Sequence, residues 1–191
     1  FNFTDNISFL NRDMGYDISF KDCQKIKNKK IEYDIVYTGS FDNRNGLLEC
    51  VKYLSKFGFK IALIGNMKNH LYNEFKKIDK VSILGKLDLN EIIKIFNITK
   101  CGLNFTPDIF PFNVQSSTKT IEYSAAGLGV ISNRYIWAET FEKSRSANFL
   151  YLDELSSKDQ IYNFNFKNAF VDDLIWENIL NESNFKSFIE S

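Results

Sequence analysis

The chain has 191 residues, of which 44% are hydrophobic and 16% aromatic, and its 24 basic and 24 acidic residues give a formal net charge of zero. This length and composition predict one folded domain of ordinary size and exclude an intrinsically disordered chain. Because a balanced charge supplies no overall attraction to nucleic acid, we expect no nucleic-acid partner.

Cysteine and histidine usage argues against a metal site. Three cysteines, Cys23, Cys50 and Cys101, are far apart in the sequence, and His70 is the single histidine. This spacing fits neither a zinc site nor a disulfide framework, so we expect buried thiols and a cytoplasmic location. The sequence has no run of about 18 apolar residues, so it predicts no membrane span. The chain begins at Phe1, and we expect it to be part of a longer protein.

Strands and helices are predicted to alternate along most of the chain. Residues 1–30 lack a clear period and are interpreted as a connector. After them, strands are predicted over Tyr33–Thr38, Lys60–Ile64, Val81–Leu84, Cys101–Phe105, Gly129–Ser132 and Asn148–Leu152. Helix-length segments separate these strands, which predicts right-handed crossovers and a doubly wound parallel sheet of about six strands. Residues 31–191 are therefore expected to form one Rossmann-like α/β domain.

One helix and the tail have local signals. Asp88, with Glu91 three residues later, predicts a capping box at the start of a helix. Residues 156–169 have no clear period, and Asp172–Ile189 is expected to be a helical tail. The acidic pair Asp172 and Asp173 most simply begins that tail, so we assign it no metal.

The segment Ser116–Gly127 is the most informative part of the chain. It places Lys119 in the first turn of a predicted helix, where the helix dipole favours anions by about 0.3 to 1 kcal/mol. Ser116, Ser117 and Thr118 precede it, so their hydroxyls and the free amides of the first turn predict a phosphate site. The alternative is an exposed ion pair between Lys119 and Glu122, with the hydroxyls acting only as helix caps.

The loop Gly39–Gly46, with the sequence GSFDNRNG, follows the first predicted strand. Gly39 permits a close approach of the backbone, and Arg44 is a candidate for a charged contact with phosphate. The alternative is an ordinary turn with a solvated arginine. Neither the dinucleotide fingerprint nor the P-loop pattern is present, which disfavours a nicotinamide enzyme and an ATPase.

The segments that follow the predicted strands are expected to lie at one edge of the sheet. Gly39, Gly65, Gly85 and the segment Ser116–Glu122 all follow predicted strands. In an open parallel sheet, ligands bind outside the carboxyl ends of the strands, where the strand order reverses. The sequence therefore predicts one crevice at that edge.

The order of four motifs resembles the C-terminal, donor-binding half of GT-B glycosyltransferases of the group 1 type. The motifs are YTGSFDNRNG at Tyr37–Gly46, ALIGN at Ala62–Asn66, VSILGKLDLNEI at Val81–Ile92 and STKTIEYSAAGLGVIS at Ser117–Ser132. The resemblance covers roughly residues 31–190, and it rests on the order of motifs that are individually weak.

The resemblance implies roles for particular residues. Ser117, Thr118 and Lys119 would hold the diphosphate of a nucleotide sugar, and Glu122 would accept hydrogen bonds from the ribose. Gly39 and Ser40 would lie against the same substrate, and Gly85 and Lys86 would flank the base. Lys119 and Arg44 would stabilise the leaving diphosphate without a metal or cofactor. Ser40 and Asn45 stand where many members have an arginine and a lysine, and Arg44 is the expected substitute for those two cations. Val114 stands where many members have an acidic residue.

The implied function is that of the donor-binding domain of a metal-independent glycosyltransferase, in bacterial surface polysaccharide or glycoconjugate synthesis. The acceptor-binding N-terminal domain would be missing from this chain, and association of the full-length protein with the inner face of the membrane stays open. Two alternatives are a nucleotide-sugar epimerase with the GT-B fold and a non-catalytic α/β interaction module. The sequence leaves open the sugar, the base, the acceptor and the stereochemistry.

Overall fold

The computed structural model describes residues 14–25, 30–42, 44–183 and 185–190. Within them, a six-stranded sheet has the order β3-β2-β1-β4-β5-β6, and every neighbouring pair is parallel. The strands are β1 (Tyr33–Thr38), β2 (Ile61–Ile64), β3 (Val81–Gly85), β4 (Thr99–Asn104), β5 (Gly129–Ser132) and β6 (Leu150–Tyr151). The predicted doubly wound α/β fold is confirmed.

Helices cover both faces of the sheet. They are α1 (Leu47–Lys56), α2 (Asn69–Lys76), α3 (Leu89–Asn97), α4 (Thr118–Ala126), α5 (Ile136–Ser144), α6 (Gln160–Asn163), α7 (Trp176–Glu182) and α8 (Phe185–Glu190). Three 3-10 helices lie at Ile18–Lys25, Phe112–Val114 and Asp172–Leu174. The capping box predicted for Asp88 and Glu91 is present at the start of α3. Among the described residues, no helix has both the length and the apolar character needed to cross a membrane.

The core has two layers because alternate residues of each strand face opposite sides. Ile35 and Tyr37 of β1 pack with α1, α2 and α6, whereas Val36 packs with α3, α4, α5 and α7. Both sides of the sheet are therefore buried, which explains why the strands are nearly continuous apolar runs.

Differences from the prediction lie mainly at the two ends of the chain. β6 is only two residues long, because Asn148 instead forms an antiparallel bridge with Lys167. The 3-10 helix Ile18–Lys25, inside the stretch interpreted as a connector, packs against α3 and α4 and buries Phe20 and Cys23. The helical tail is divided into a 3-10 helix, α7 and α8. Residues 1–13 and 26–29 of the predicted connector lie outside the described residues.

A close contact fixes α4 on the sheet. A Cβ atom at Gly102 of β4 would lie 2.3 Å from the Tyr123 ring, so only glycine lets this ring rest on the strand. The Tyr123 hydroxyl accepts a hydrogen bond from the Thr38 amide at 3.1 Å. α4 is therefore joined to both β4 and β1, the two strands between which the sheet order reverses.

Replacing Gly102 with alanine should force the Tyr123 ring and α4 away from β4. We expect Gly102→Ala to lower the free energy of unfolding by about 1 to 3 kcal/mol, measured by urea denaturation. The matched test is Tyr123→Leu in both backgrounds. If the ring contact is the cause, Tyr123→Leu costs less in the Gly102→Ala background than in the wild type; purely additive costs would contradict this explanation.

A buried carboxylate lies at the amino end of β1. Asp34 is 3% exposed and accepts hydrogen bonds from the Lys158 ammonium at 2.6 Å, from the Lys60 amide at 2.7 Å and from the Tyr162 hydroxyl. Burial alone would raise the pKa of Asp34, but hydrogen bonds from Lys158, Tyr162 and the Lys60 amide lower it below its ordinary value of 3.8. The ionised form is thus favoured in the folded state.

Because the pKa of Asp34 is lower in the folded than in the unfolded chain, its stabilising effect is full above about pH 4 and is lost as the pH falls through the folded value. Lys158→Met should cost about 1 to 2 kcal/mol at pH 7, toward the lower end for a charged hydrogen bond because the ammonium is partly exposed. It should also move acid unfolding to higher pH. Circular dichroism across an acid titration measures both, and an unchanged acid midpoint would contradict the role of this pair.

Candidate functional site

Three glycines mark the carboxyl ends of neighbouring strands. Gly39, Gly65 and Gly85 follow or end β1, β2 and β3, with φ angles of +128°, +139° and +71°. Their backbones are close: a Cβ atom at Gly65 would lie 2.0 Å from the Gly39 carbonyl oxygen. Nothing lies within 4 Å of the corresponding position at Gly85. The three glycines therefore form a backbone rim at this edge of the sheet, with open space beside Gly85.

Helix α4 begins beside this rim. Ser117 is its N-cap and accepts a hydrogen bond from the Thr120 amide at 3.4 Å. The Ser117 hydroxyl donates to Asn104 Oδ1 at 2.8 Å and is buried. Its hydrogen is therefore committed to Asn104, whereas the sequence analysis assigned it to a phosphate oxygen.

Lys119 reaches from α4 across the end of β1. Its ammonium nitrogen lies 5.7 Å from the centre of the Tyr37 ring, and a Cβ atom at Gly39 would lie 3.8 Å from its Cδ. The residue is only 9% exposed. The structure therefore brings Lys119 together with Gly39, and the amine is not turned into bulk solvent.

Arg44 approaches the same place from the loop after β1. Its guanidinium carbon lies 5.9 Å from the centre of the Phe112 ring, and its charge acts on both Tyr37 and Lys119. Among the residues that the structure describes, no carboxylate oxygen lies within 4.0 Å of the side-chain nitrogens of Arg44 or Lys119. Both cations thus act on Tyr37, and neither has an ion-pair partner among the described residues.

The pKa values of Lys119 and Glu122 show that burial disfavours the charged form of both side chains. Burial and, to a smaller extent, the charge of Arg44 lower the pKa of Lys119 from 10.5 to about 8, and Glu122 opposes the change. Burial also raises the pKa of Glu122 to about 7, against the effect of Lys119. Lys119 is not exposed and its nitrogen is not within 4.0 Å of the Glu122 carboxylate, so the two do not form the exposed ion pair considered as an alternative.

The remaining predicted residues lie at the same edge without contacts that define a role. Thr118 is the half-buried first residue of α4. Ser40 is exposed, with its hydroxyl 3.5 Å from the Asp42 carbonyl oxygen. Lys86 is exposed beyond Gly85. The roles assigned to these residues stay predictions.

A cavity of about 280 Å³ adjoins Arg44, between the loop after β1 and the start of α2. Lys68 and His70 line it as well, which places His70 at the edge of the candidate site although the sequence analysis gave it no role. A larger cavity, of about 620 Å³, lies at the opposite end of α4 beside Gly127. Of these two cavities, the smaller is lined by Arg44 and the larger is not, and Lys119 lines neither.

The sequence analysis missed three side chains at this edge. Tyr37 lies under Lys119, Phe112 lies beside Arg44, and Asn104 anchors Ser117. Tyr37 belongs to the YTGSF motif, but its ring falls on the buried face of β1 and gave no polar signal. In the part of the chain that the structure describes, no group of three or more His, Cys, Asp or Glu residues could hold a metal ion.

The fold is similar to that of known sugar enzymes. AviGT4, a glycosyltransferase involved in avilamycin A biosynthesis, matches with a TM-score of 0.60 and 10% identity over 94% of this chain and 56% of that chain. A chain of the GtfA/B complex matches with a TM-score of 0.50 and 10% identity, over 86% of this chain and 37% of the other. A UDP-GlcNAc 2-epimerase from Methanocaldococcus jannaschii has a TM-score of 0.48 and 13% identity, over 91% and 49%.

These likenesses establish the fold alone. No protein-family model matches the sequence, and no curated protein sequence matches it. The chain spans little more than half the length of AviGT4 and less of the GtfA/B chain. The α/β fold of this chain therefore resembles part of the AviGT4 chain and part of the GtfA/B chain.

Lys119 should destabilise the unliganded protein. The pKa of Lys119 is lower in the folded chain than in the unfolded chain, so protonation of its amine opposes folding. The free energy of unfolding therefore rises with pH between about 8 and 10.5, and at pH 7 the destabilisation by the charged amine is complete. We expect Lys119→Met to raise the free energy of unfolding at pH 7 by about 1 to 3 kcal/mol. The matched control is Lys52→Met on the exposed side of α1, which should change little. Urea denaturation at pH 7 and pH 10 measures both, and a destabilised Lys119→Met protein would contradict the argument.

Proposed function

We propose that this chain binds a nucleotide sugar through its diphosphate at the carboxyl edge of the sheet, as the donor-binding half of a glycosyltransferase. One observation carries the proposal: the buried Lys119 ammonium lies 5.7 Å from the centre of the Tyr37 ring, the Arg44 charge acts on both, and among the described residues no carboxylate lies within ion-pair distance of either cation. A buried cation is stable only when it is paired, and a dianion between the two would pair both. A diphosphate has the charge and the oxygen atoms to do so.

The start of α4 supplies further donors. The first backbone amides of a helix have no partner within the helix and carry partial positive charge. Together with Lys119 they would hold the phosphate oxygens, and Arg44 would close the other side. In sugar transfer, the departing diphosphate gains negative charge, and fixed cations stabilise it most when water is excluded. Lys119 and Arg44 are thus the proposed catalytic residues, and the reaction they support needs no metal.

Other residues would place the rest of the donor. Glu122 lies one turn after Lys119, where its carboxylate would accept hydrogen bonds from the ribose hydroxyls. Gly39 and Ser40 would approach the phosphates from β1, and Thr118 would add a hydroxyl. Gly85, with open space around it, and Lys86 would flank the base.

The acceptor requires a second domain. The chain spans 56% of AviGT4, so acceptor binding and complete transfer belong to a larger assembly in this proposal. The place of that assembly in polysaccharide or glycoconjugate synthesis, and its location in the cytoplasm or at the inner face of the membrane, rest on the motif resemblance.

Isothermal titration calorimetry with UDP, GDP, UDP-N-acetylglucosamine and GDP-mannose tests the proposal directly. We expect binding of one nucleotide series, with no sugar transfer by this chain alone. Lys119→Met should weaken that binding by about 10- to 150-fold, the loss of one charged hydrogen bond of roughly 1.5 to 3 kcal/mol. Binding by the wild type should also weaken above about pH 8, where Lys119 loses its proton.

Lys52→Met is again the control and should bind as the wild type does. Glu122→Gln should weaken binding of UDP but not of inorganic pyrophosphate, because the latter has no ribose. Heat from none of the nucleotides would count against the proposal and favour the interaction module. Conversion of UDP-N-acetylglucosamine to an epimer by the complete protein would instead favour the epimerase.

A further inference from the structure

A hydrogen-bond network joins β4, β5 and the start of α4. Asn104, the last residue of β4, is 0% exposed. Its amide nitrogen donates to Ser132 Oγ and to the Tyr135 hydroxyl, each at 3.0 Å. Its amide oxygen accepts from Ser117 Oγ at 2.8 Å. One buried amide thus connects three elements at the edge where the candidate site lies.

The network has a second link. Asn133, after β5, accepts from the Thr106 amide at 2.9 Å and donates to the Thr106 carbonyl oxygen at 2.8 Å. The loop between β4 and α4 is therefore tied to the loop after β5 on one side and to Asn104 on the other. Ser117, between these ties, caps α4 through the Thr120 amide.

We propose that Asn104 is a positioning residue, which holds Ser117 and thereby sets where the first turn of α4 and Lys119 lie relative to β1. For its effect on a ligand, this inference rests on the proposed function. Asn104 itself is fully buried and would not touch the ligand. A side-chain amide suits the position because it offers two donors and an acceptor on one rigid plane. Leucine would fill a similar volume and leave the Ser117, Ser132 and Tyr135 hydroxyls without this partner.

A double-mutant cycle with UDP as the probe tests the coupling. Asn104→Leu should weaken UDP binding about tenfold, as should Ser117→Ala. If Asn104 acts through Ser117, the double variant binds no more weakly than the weaker single variant. Additive losses in the cycle would overturn the inference.

Thr99→Val is the matched control. Thr99 is the first residue of the same strand, is buried, and donates to the Ile95 carbonyl oxygen at 2.7 Å. Its loss removes one buried hydrogen bond at the far end of β4, about 17 Å away. Thr99→Val should lower the melting temperature but leave UDP affinity unchanged. An equal loss of UDP affinity in Thr99→Val would reduce Asn104 to a general structural role.

A readout without ligand separates this inference from the proposed function. Burial and the charge of Arg44 lower the pKa of the Lys119 amine to about 8, and NMR of the labelled side chain measures this pKa. In Asn104→Leu this midpoint should rise toward 10.5 as the amine becomes more solvated, and it should stay unchanged in Thr99→Val. If the wild type binds no nucleotide, the titration still decides: a rise supports positioning, and no change overturns it. Should Asn104→Leu fail to fold, Tyr135→Phe, which removes one partner of the amide, should shift the midpoint in the same direction by less.

Discussion

The stacking of Tyr123 on Gly102 is the contact on which the candidate site depends. Because Gly102 has no side chain, α4 lies close enough to β4 for the Tyr123 hydroxyl to reach the Thr38 amide. β1 and β4 pair as far as Val36 and Gly102, and Thr38 lies beyond that last pair. The tyrosine therefore satisfies a backbone donor where the two strands diverge. The same helix then carries its N-terminus to the edge at which Gly39 ends β1.

At that edge, the buried charge of Lys119 lowers the stability of the folded chain. Lys119 lies over Tyr37 with its pKa lowered, first by burial and then by Arg44. A chain selected only for stability would place an apolar side chain at this buried position. Under the proposed function, a bound anion would repay this desolvation cost, because it would pair with the cation. Glu122, whose pKa is raised to about 7, has the same character.

Most of the fold could be predicted from the sequence because its signals are local. β1 and β5 have the predicted bounds, since apolar runs ending at a glycine or a polar residue are enough to define a buried strand. The 3-10 helix Ile18–Lys25 could not be predicted in this way. Its period is shorter than that of an α-helix, and the burial of Phe20 and Cys23 depends on α3 and α4, which follow much later in the chain.

The candidate site was predictable in position but less so in the direction of its side chains. Parallel topology alone brings Gly39, Gly85 and the start of α4 to one edge, and it holds for any sequence of strands and helices in this order. Whether the Ser117 hydroxyl faces a ligand or the interior depends on Asn104, a residue 13 positions earlier whose polar side chain is compatible with either a turn or a core. Because Asn104 takes the hydroxyl, the phosphate contacts of the proposed function would be left to backbone amides, Thr118 and Lys119. Charge recognition would then fall to Lys119 and Arg44, so the absence of a carboxylate within 4.0 Å of either, among the described residues, supports the proposal more strongly than the helix motif does.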